Sequence, residues 1–235
     1  MNSQKGNHNG LRIGVLGGIG PESTAEFYTK LIRELQKSGF IKSNKDFPQI
    51  VINSIPAPEL VYEKISDADL SSYVAGLREL DSFGVDFIVM VCNTIHLFYD
   101  KLQSQIKTPI LDLRRRVENT IKERGINSVL VLGTPSTIDK GLYDFVGVNS
   151  IKPTKDETAQ LSIAIFNFNN GTDKENQSKK VEEICKKYLT NEKTKTVILG
   201  CTEFGLMLND GNFDKINTID VLVKATVEMV VRARQ

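Results

Sequence analysis

The chain contains few of the residues on which disulfide and metal chemistry depends. Its 235 residues include three cysteines, two histidines and no tryptophan. An odd and sparse cysteine count without Cys-x-x-Cys spacing excludes a disulfide framework and a zinc ribbon. We therefore expect a reducing environment, free thiols and no bound metal.

The chain also lacks a strong net charge and long apolar runs. The formal net charge is +1 and the isoelectric point about 7.6, so no overall field attracts nucleic acid or an anionic membrane. No apolar run approaches the roughly 20 residues that span a bilayer. The first ten residues lack the apolar segment of a secretory signal. We expect a cytoplasmic protein without nucleic-acid or membrane partners, and a disordered tail over residues 1–10.

Short apolar runs alternate along the chain with longer amphipathic stretches. Strand–helix–strand repeats of this length predict an α/β protein with mostly parallel sheets. Phe87–Val91 and Val129–Leu132 are continuously apolar, as expected of strands covered on both faces. The predicted strands are Arg12–Leu16, Gln49–Asn53, Asp86–Val91, Ser128–Leu132, Thr196–Gly200 and Asn217–Asp220, and the predicted helices include Ser23–Lys37 and Leu70–Phe83.

The natural division of the chain falls near Pro109. We predict a first α/β domain from residues 11–108 together with the helix-like tail 221–235, and a second from residues 109–220. Because no low-complexity linker separates them, the two halves are expected to pack closely.

Two of the three cysteines end apolar runs in the same local frame. Cys92 is followed by Asn-Thr and Cys201 by Thr-Glu, 109 residues later (201 − 92 = 109). Two similar halves would each place one thiol at the carboxyl ends of their strands, where open parallel sheets bind ligands. A cysteine at the end of a buried strand is often only a small core residue, but the matching frames favour a pair of facing acid/base groups. Cys185 lies within a helical pattern, and we assign it a structural role.

Four polar turns follow predicted strands: residues 17–22, 92–94, 133–137 and 200–203. Each exposes backbone N–H groups at the start of a helix, which favours a bound anion such as an α-carboxylate. Pro21 suits a first helical position. The same location is expected to lower the pKa of both thiols. His96, one helical turn after Cys92, either tunes that thiol or is structural.

The glycine-rich turn does not match a nucleotide site. Gly18–Ser23 has serine where the dinucleotide fingerprint requires its third glycine, and Asn53-Ser54 offers no acidic residue for a ribose. No Gly-Lys-Ser/Thr of a phosphate loop follows. We expect no nucleotide and no other cofactor.

The segments Ile13–Thr24, Cys92–His96 and Gly200–Glu203, in this order and spacing, resemble the aspartate/glutamate racemase family, and its aspartate racemase branch most. The resemblance implies two pseudo-symmetric three-layer α/β/α halves with mostly parallel four-stranded sheets, the active site between them, and a homodimer. It also implies cofactor-independent racemisation of a small amino acid, with Cys92 and Cys201 as acid/base catalysts. Glutamate racemases usually carry histidine where this chain has Glu203. The predicted substrate-binding residues are Gly20, Pro21, Asn53, Asn93, Thr94, Thr134, Thr137, Thr202 and Glu203.

One departure from the family pattern concerns the substrate's side chain. Aspartate-specific members place basic residues near the end of the second strand and before a glycine in the second half. The corresponding stretches here, Asn53–Pro58 and Asn167–Gly171, contain no cation. Either Lys140 or Arg114 supplies the charge, or the substrate is neutral or more varied.

Aspartate racemase is the leading hypothesis, and two alternatives stay open. One is a related enzyme of the superfamily, of the hydantoin racemase, maleate isomerase or arylmalonate decarboxylase type. The other is a non-catalytic amino-acid-binding protein on the same scaffold. Two thiols favour racemisation, because the decarboxylases that resemble this group use one cysteine.

Overall fold

The computed structural model of the protein describes residues 10–58, 60, 65–191 and 194–234. The tail predicted over residues 1–10 lies outside these ranges except for Gly10. The strands are β1 (Arg12–Gly17), β2 (Gln49–Ser54), β3 (Phe87–Met90), β4 (Ser128–Gly133), β5 (Asn149–Ile151), β6 (Thr196–Gly200) and β7 (Asp214–Asn217). The α-helices are α1 (Pro21–Lys37), α2 (Asp67–Phe83), α3 (Tyr99–Gln103), α4 (Leu113–Glu123), α5 (Pro135–Asp139), α6 (Lys155–Asn169), α7 (Lys174–Asn191), α8 (Thr202–Met207) and α9 (Thr218–Arg232).

Two parallel sheets carry the same strand order, which confirms the predicted parallel α/β fold. The first sheet runs β2-β1-β3 and the second β5-β4-β6-β7, and every neighbouring pair is parallel. In each sheet the second strand along the chain lies at the edge, with the first and then the third beside it. Strands β3 and β6 therefore occupy equivalent positions, and Cys92 and Cys201 follow them.

The first sheet has three strands among the described residues, where four were expected. In the fourth position only Ile110 pairs with Ile88, as an isolated parallel bridge. The Ile88 N–H donates to the Pro109 carbonyl at 2.9 Å, and the Leu111 N–H donates to the Ile88 carbonyl at 2.8 Å. Because Asp112 already caps α4 by accepting from the Arg114 N–H, the extended segment ends before a ladder can form.

The last predicted strand was placed wrongly. Strand β7 covers Asp214–Asn217 and not Asn217–Asp220, because Asn217 ends the strand and caps α9. Its side-chain oxygen accepts the Ile219 N–H at 3.0 Å, which starts the helix at Thr218. The short edge strand β5 was not predicted.

Helices α1, α4 and α9 contribute, together with both sheets, to one central apolar cluster. Val15 and Val89 come from the first sheet, and Val129 and Ile198 from the second. Ion pairs also join α9 to both neighbouring helices, from Lys30 on α1 to Asp220 and from Arg116 on α4 to Glu228. This shared core joins the two halves of the molecule. Helices α2, α6 and α7 pack on the outer faces of the sheets.

No helix within residues 10–58, 60, 65–191 and 194–234 combines the length and apolarity needed to cross a bilayer.

Candidate active site

A cavity of about 170 Å³, which we call the thiol cavity, lies at the carboxyl ends of the strands and contains both cysteines. Its walls come from both halves of the molecule. A larger groove of about 880 Å³ on the surface of α1 and α9 is lined by charged residues and valines and by neither thiol, so we place the site at the thiol cavity. Its described lining is Gly18, Ile19, Gly20, Pro21, Ala57, Pro58, Leu60, Cys92, Thr94, Thr134, Ile165, Asn169, Asn170, Cys201 and Glu203.

Most of the predicted site residues meet at this cavity, and four stand apart from its lining. Among the described residues, the lining includes neither Asn53, Asn93, Thr137 nor Thr202. Asn53 is held elsewhere, because its amide donates to the Gly76 carbonyl at 3.1 Å and to the Glu79 carboxylate at 2.7 Å. The other three are buried, and each is a chain neighbour or a hydrogen-bond partner of a lining residue.

The second thiol contacts a carboxylate. Cys201 Sγ donates a hydrogen bond to Glu203 Oε2 at 2.8 Å, and the hydroxyl of Thr202 donates to the same oxygen at 3.2 Å. Both Cys201 and Glu203 are buried. Burial raises the pKa of the Glu203 carboxyl, against the opposing effect of the hydrogen bond from Cys201. Glu203 is therefore a better proton acceptor than an exposed glutamate.

The residues that follow the first thiol along the chain are neutral, although the charge of Glu203 reaches this thiol as well and raises its pKa. Thr94, two residues after Cys92, belongs to a buried hydroxyl cluster with Thr134 and Thr137. The three side-chain oxygens lie 3.1 Å (Thr94–Thr134), 3.2 Å (Thr94–Thr137) and 3.1 Å (Thr134–Thr137) apart. Thr134 also caps α5, because its side-chain oxygen accepts a hydrogen bond from the Thr137 N–H. This hydroxyl cluster presents rotatable donors to the cavity without adding charge.

The expectation that the loops lower the thiol pKa values is wrong. Burial, together with the negative charge of Glu203, raises the pKa of Cys92 to about 12, although the Ile95 and Thr94 N–H groups act in the opposite direction. Burial, followed by the negative charge of Glu203, raises the pKa of Cys201 well above its usual value. Both cysteines are thus thiols at neutral pH until something compensates the buried charge.

Tyr143 and Thr218 were not predicted, although they hold a predicted residue. The Tyr143 hydroxyl donates to Asn93 Oδ1, and Asn93 Nδ2 donates to Thr218 Oγ1 at 3.0 Å. Asn169 and Asn170, at the end of α6, line the cavity and were missed as well. Both asparagines lie in the stretch where a cation was expected from the family resemblance. A neutral amide at such a position does not by itself predict a substrate contact, so the sequence did not identify them.

Gly20 brings the first glycine-rich turn onto the second thiol loop. Its φ of 98° lies in the left-handed region, which glycine adopts without steric cost. A Cβ atom at this position would overlap Glu203 Oε1. The Glu203 carboxylate therefore packs directly against this turn.

His96 is buried, and the Met90 backbone acts to raise its pKa without meeting the geometry of a hydrogen bond. Among the described residues, neither ring nitrogen has a hydrogen-bond partner, and the ring stacks near Tyr99. Burial lowers the pKa of His96 to about 4, against the opposing charge of Asp112. His96 is neutral at physiological pH.

No lysine or arginine belongs to the described lining of the thiol cavity. The two cations suggested by the sequence are engaged elsewhere. Lys140 Nζ lies 5.0 Å from the centre of the Phe98 ring, and Arg114 pairs with the Asp112 carboxylate at 2.9 Å and 3.0 Å. Across the described ranges, no three His, Cys, Asp or Glu side chains group as metal ligands.

The chain is similar in sequence to known amino-acid racemases. A family model described as Asp/Glu/hydantoin racemase matches residues 16–230. The chain is 36% identical over 137 residues to the broad specificity amino-acid racemase RacX of Bacillus subtilis. This match covers 57% of the chain and 59% of RacX, which is less than two thirds of that relative's length.

Solved structures of similar fold cover nearly the whole chain. An aspartate racemase homologue from Pyrococcus horikoshii is 25% identical, with a TM-score of 0.71 over 94% of this chain and 99% of that one. Aspartate racemase from Picrophilus torridus is 22% identical, with a TM-score of 0.74 over 94% and 95%. Glutamate racemase from Francisella tularensis, solved with D-glutamate, is 18% identical, with a TM-score of 0.67 over 97% and 83%. The last two show the fold alone.

Proposed function

The chain belongs to the Asp/Glu/hydantoin racemase family, and we propose that it is a cofactor-independent amino-acid racemase with Cys92 and Cys201 as opposed acid/base catalysts. One observation carries the proposal: both thiols line one small cavity from equivalent positions in the two halves. A racemase must remove a proton from one face of Cα and return one to the other face, and two facing thiols suit that task.

One thiol must lose its proton before it can act as a base. The acceptor we propose is Glu203, because its carboxylate already receives the Cys201 hydrogen bond and its pKa is raised by burial. The bound substrate brings an ammonium group, whose positive charge offsets the negative charge that burial disfavours. Cys201 is then the thiolate and Cys92 the thiol.

The reaction transfers two protons across the stereocentre. The Cys201 thiolate takes the α-proton, and the electron pair of the broken Cα–H bond delocalises into the substrate carboxylate. The Cys92 thiol then donates its proton to the opposite face of Cα, which leaves Cys92 as the thiolate for the reverse reaction. Hydroxyls of the hydroxyl cluster are the donors we propose for the charge that develops on the carboxylate.

For the substrate we propose a neutral amino acid, with aspartate as the alternative. A second carboxylate in a buried cavity requires a cation, and the described lining holds Asn169, Asn170 and Glu203 but no lysine or arginine. The likeness to a broad-specificity racemase supports the same choice. The cavity of about 170 Å³ suits a small side chain.

The test is isotope exchange in heavy water. The wild-type protein is incubated with single L- and D-amino acids, acidic and neutral, and α-deuterium and the opposite enantiomer are followed by NMR and chiral chromatography. We expect racemisation that Cys92→Ser and Cys201→Ser each abolish. The control Cys185→Ser, whose thiol lies outside the described lining of the cavity, should retain full activity.

Other outcomes separate the alternatives. Full activity in either Cys92→Ser or Cys201→Ser contradicts the two-thiol scheme. Exchange on a hydantoin but on no free amino acid favours the hydantoin racemase type. Binding without exchange favours the amino-acid-binding protein. The homodimer implied by the family resemblance and the cytoplasmic location expected from the composition stay predictions, to be checked by light scattering and by cell fractionation.

A further inference from the structure

We infer that Tyr143 is a positioning residue that, through Asn93 and Thr218, holds the two thiol loops in a fixed mutual arrangement. By thiol loops we mean residues 92–96 and 201–205. The inference rests on the proposed function for its catalytic consequence, but the arrangement itself can be tested without activity.

Tyr143 contacts a residue next to each thiol. Its hydroxyl donates to Oδ1 of Asn93, which follows Cys92 directly. Its ring lies against Gly200, which precedes Cys201, because a Cβ atom at Gly200 would stand 3.2 Å and 3.4 Å from two of the ring carbons. One buried side chain thus bridges the ends of β3 and β6.

A hydrogen-bonded chain closes the same connection from the other side. Asn93 Nδ2 donates to Thr218 Oγ1 at 3.0 Å, and the Thr218 hydroxyl donates to the Leu199 carbonyl at 3.0 Å. Leu199 lies two residues before Cys201, and all four members of the chain are buried. The Asn93 amide is therefore fixed at both ends, with its oxygen on Tyr143 and its nitrogen on Thr218.

The network has no charged member, which suits a place beside two thiols. Burial raises the pKa of Tyr143 well above its usual value, and negative charge on Cys92 or Cys201 would raise it further. The hydroxyl therefore stays protonated and remains a donor whichever thiol is ionised. A fully satisfied buried network fixes a single arrangement, because any alternative leaves a polar group unpaired.

Tyr143→Phe is the direct test. It removes the donor to Asn93 and keeps the ring on Gly200. Because a displacement of about 1 Å in a catalytic group can cost about 100-fold in rate, we expect kcat to fall by roughly 10- to 100-fold while KM changes little. The matched control is Tyr188→Phe, which also removes a tyrosine hydroxyl. This hydroxyl donates to Glu157 at 2.5 Å, and neither residue belongs to the described lining of the cavity. Tyr188→Phe should therefore keep the wild-type kcat.

A second readout does not require activity. Alkylation by iodoacetamide is followed at each cysteine by peptide mass spectrometry, with buried Cys185 as the internal reference. Tyr143→Phe should raise the alkylation rates of Cys92 and Cys201 relative to Cys185. In Tyr188→Phe this ratio should stay as in the wild-type protein.

A pair of variants at Thr218 tests the network from its other end. Thr218→Val should reproduce the effects of Tyr143→Phe, whereas Thr218→Ser keeps the hydroxyl and should restore both kcat and the alkylation ratio. Unchanged kcat and an unchanged ratio in Tyr143→Phe and Thr218→Val would overturn the inference, as would an equal rise at all three cysteines. A wild-type protein that exchanges no α-proton contradicts the proposed function instead, and the alkylation ratio still decides on the network.

Discussion

The two thiol loops start from equivalent strands and differ in the residue two positions after each cysteine. Two positions after Cys92 stands Thr94, a member of the neutral hydroxyl cluster, and two positions after Cys201 stands Glu203, a buried carboxylate in contact with the thiol. The duplicated sheet therefore sets where the two cysteines lie. Burial and the charge of Glu203 raise the pKa of both thiols, but only Cys201 donates a hydrogen bond to that carboxylate. In the mechanism that we propose, the two thiols share a role in the reaction but not a route for their protons.

The loops differ again four residues after each cysteine. The first has His96, a buried ring without a hydrogen-bond partner among the described residues. The second has Gly205, where a Cβ atom would stand 2.8 Å from the Asn217 side-chain oxygen. Glycine is needed there because Asn217 caps α9 at close range. Only the first thiol loop therefore carries an ionisable group, His96, four residues after its cysteine.

Replacing the carboxylate gives the largest effect that we expect. Glu203→Gln keeps the shape of the side chain but removes the acceptor of the Cys201 proton. General acid–base groups contribute about 10²- to 10⁴-fold, so kcat for racemisation should fall by at least about 100-fold. In the wild-type protein, kcat should rise with pH through the raised pKa of Glu203, because the carboxylate must be unprotonated to accept. Glu203→Gln should lose this rise.

The control for this experiment uses the residue that glutamate racemases usually carry at the same position. Glu203→His supplies another proton acceptor and should lose less activity than Glu203→Gln. If Glu203→Gln keeps kcat within a factor of two or three, the two loops are electrostatically equivalent and the comparison fails.

Acid should destabilise the protein through the first loop. The pKa of His96 is about 4 in the folded protein, against 6.5 as its ordinary value, so the unfolded chain binds more protons between these pH values. The free energy of unfolding therefore falls as pH is lowered from about 6.5 to 4, by about 2–3 kcal/mol from this residue. His96→Phe keeps a ring beside Tyr99 and should remove this loss. Urea unfolding at pH 7 and pH 4.5 measures the difference.

The difference in stability between the wild-type protein and His96→Phe isolates the titration of the His96 imidazole. Carboxylates elsewhere titrate in both proteins and cancel in the difference. Parallel curves of stability against pH for wild type and His96→Phe would show that His96 finds a partner for its proton in the folded state.

Two glycines test how closely the second loop is packed. Gly20 and Gly39 both have positive φ, 98° and 78°, so alanine at either costs about 1–2 kcal/mol. Only at Gly20 would the new Cβ meet Glu203, since nothing lies within 4 Å of a Cβ at Gly39. We expect Gly20→Ala to lower kcat by about 10-fold through displacement of Glu203, and Gly39→Ala to leave kcat unchanged. Equal kcat values in the two variants would contradict the packing of Gly20 on Glu203.

The sequence predicted most of the strands that position the thiols. Strands β3, β4 and β6 each contain a continuous apolar run, and each was placed within one residue of its observed bounds. Strand β7 was not predicted from an apolar run because it contains charged residues, which pair with residues from other parts of the chain. Asp214 pairs with Arg124, and Lys215 donates to the carbonyls of Leu208, Asn209 and Gly211.

The site could be predicted where its residues follow the cysteines along the chain. Tyr143 escaped prediction because its partner Asn93 is 50 residues away and no spacing relates them. Asn53 was included because it ends a strand, but α2 captures its amide. The direction of the thiol pKa shifts was missed for a similar reason. The N–H groups that lower a pKa are local, whereas the burial that raises the pKa of Cys92 comes from the whole fold.

The smallest effect that we expect is at Thr94, the counterpart of Glu203. Thr94→Val removes two contacts of the hydroxyl cluster but leaves Thr134 and Thr137 bonded to each other at 3.1 Å. A neutral hydrogen bond contributes about 1 kcal/mol, so we expect about that loss in the free energy of unfolding and a fall in kcat/KM of roughly 5-fold. Thr94→Ser should restore both. A loss in Thr94→Val as large as that in Glu203→Gln would mean that geometry, and not charge, separates the two thiol loops.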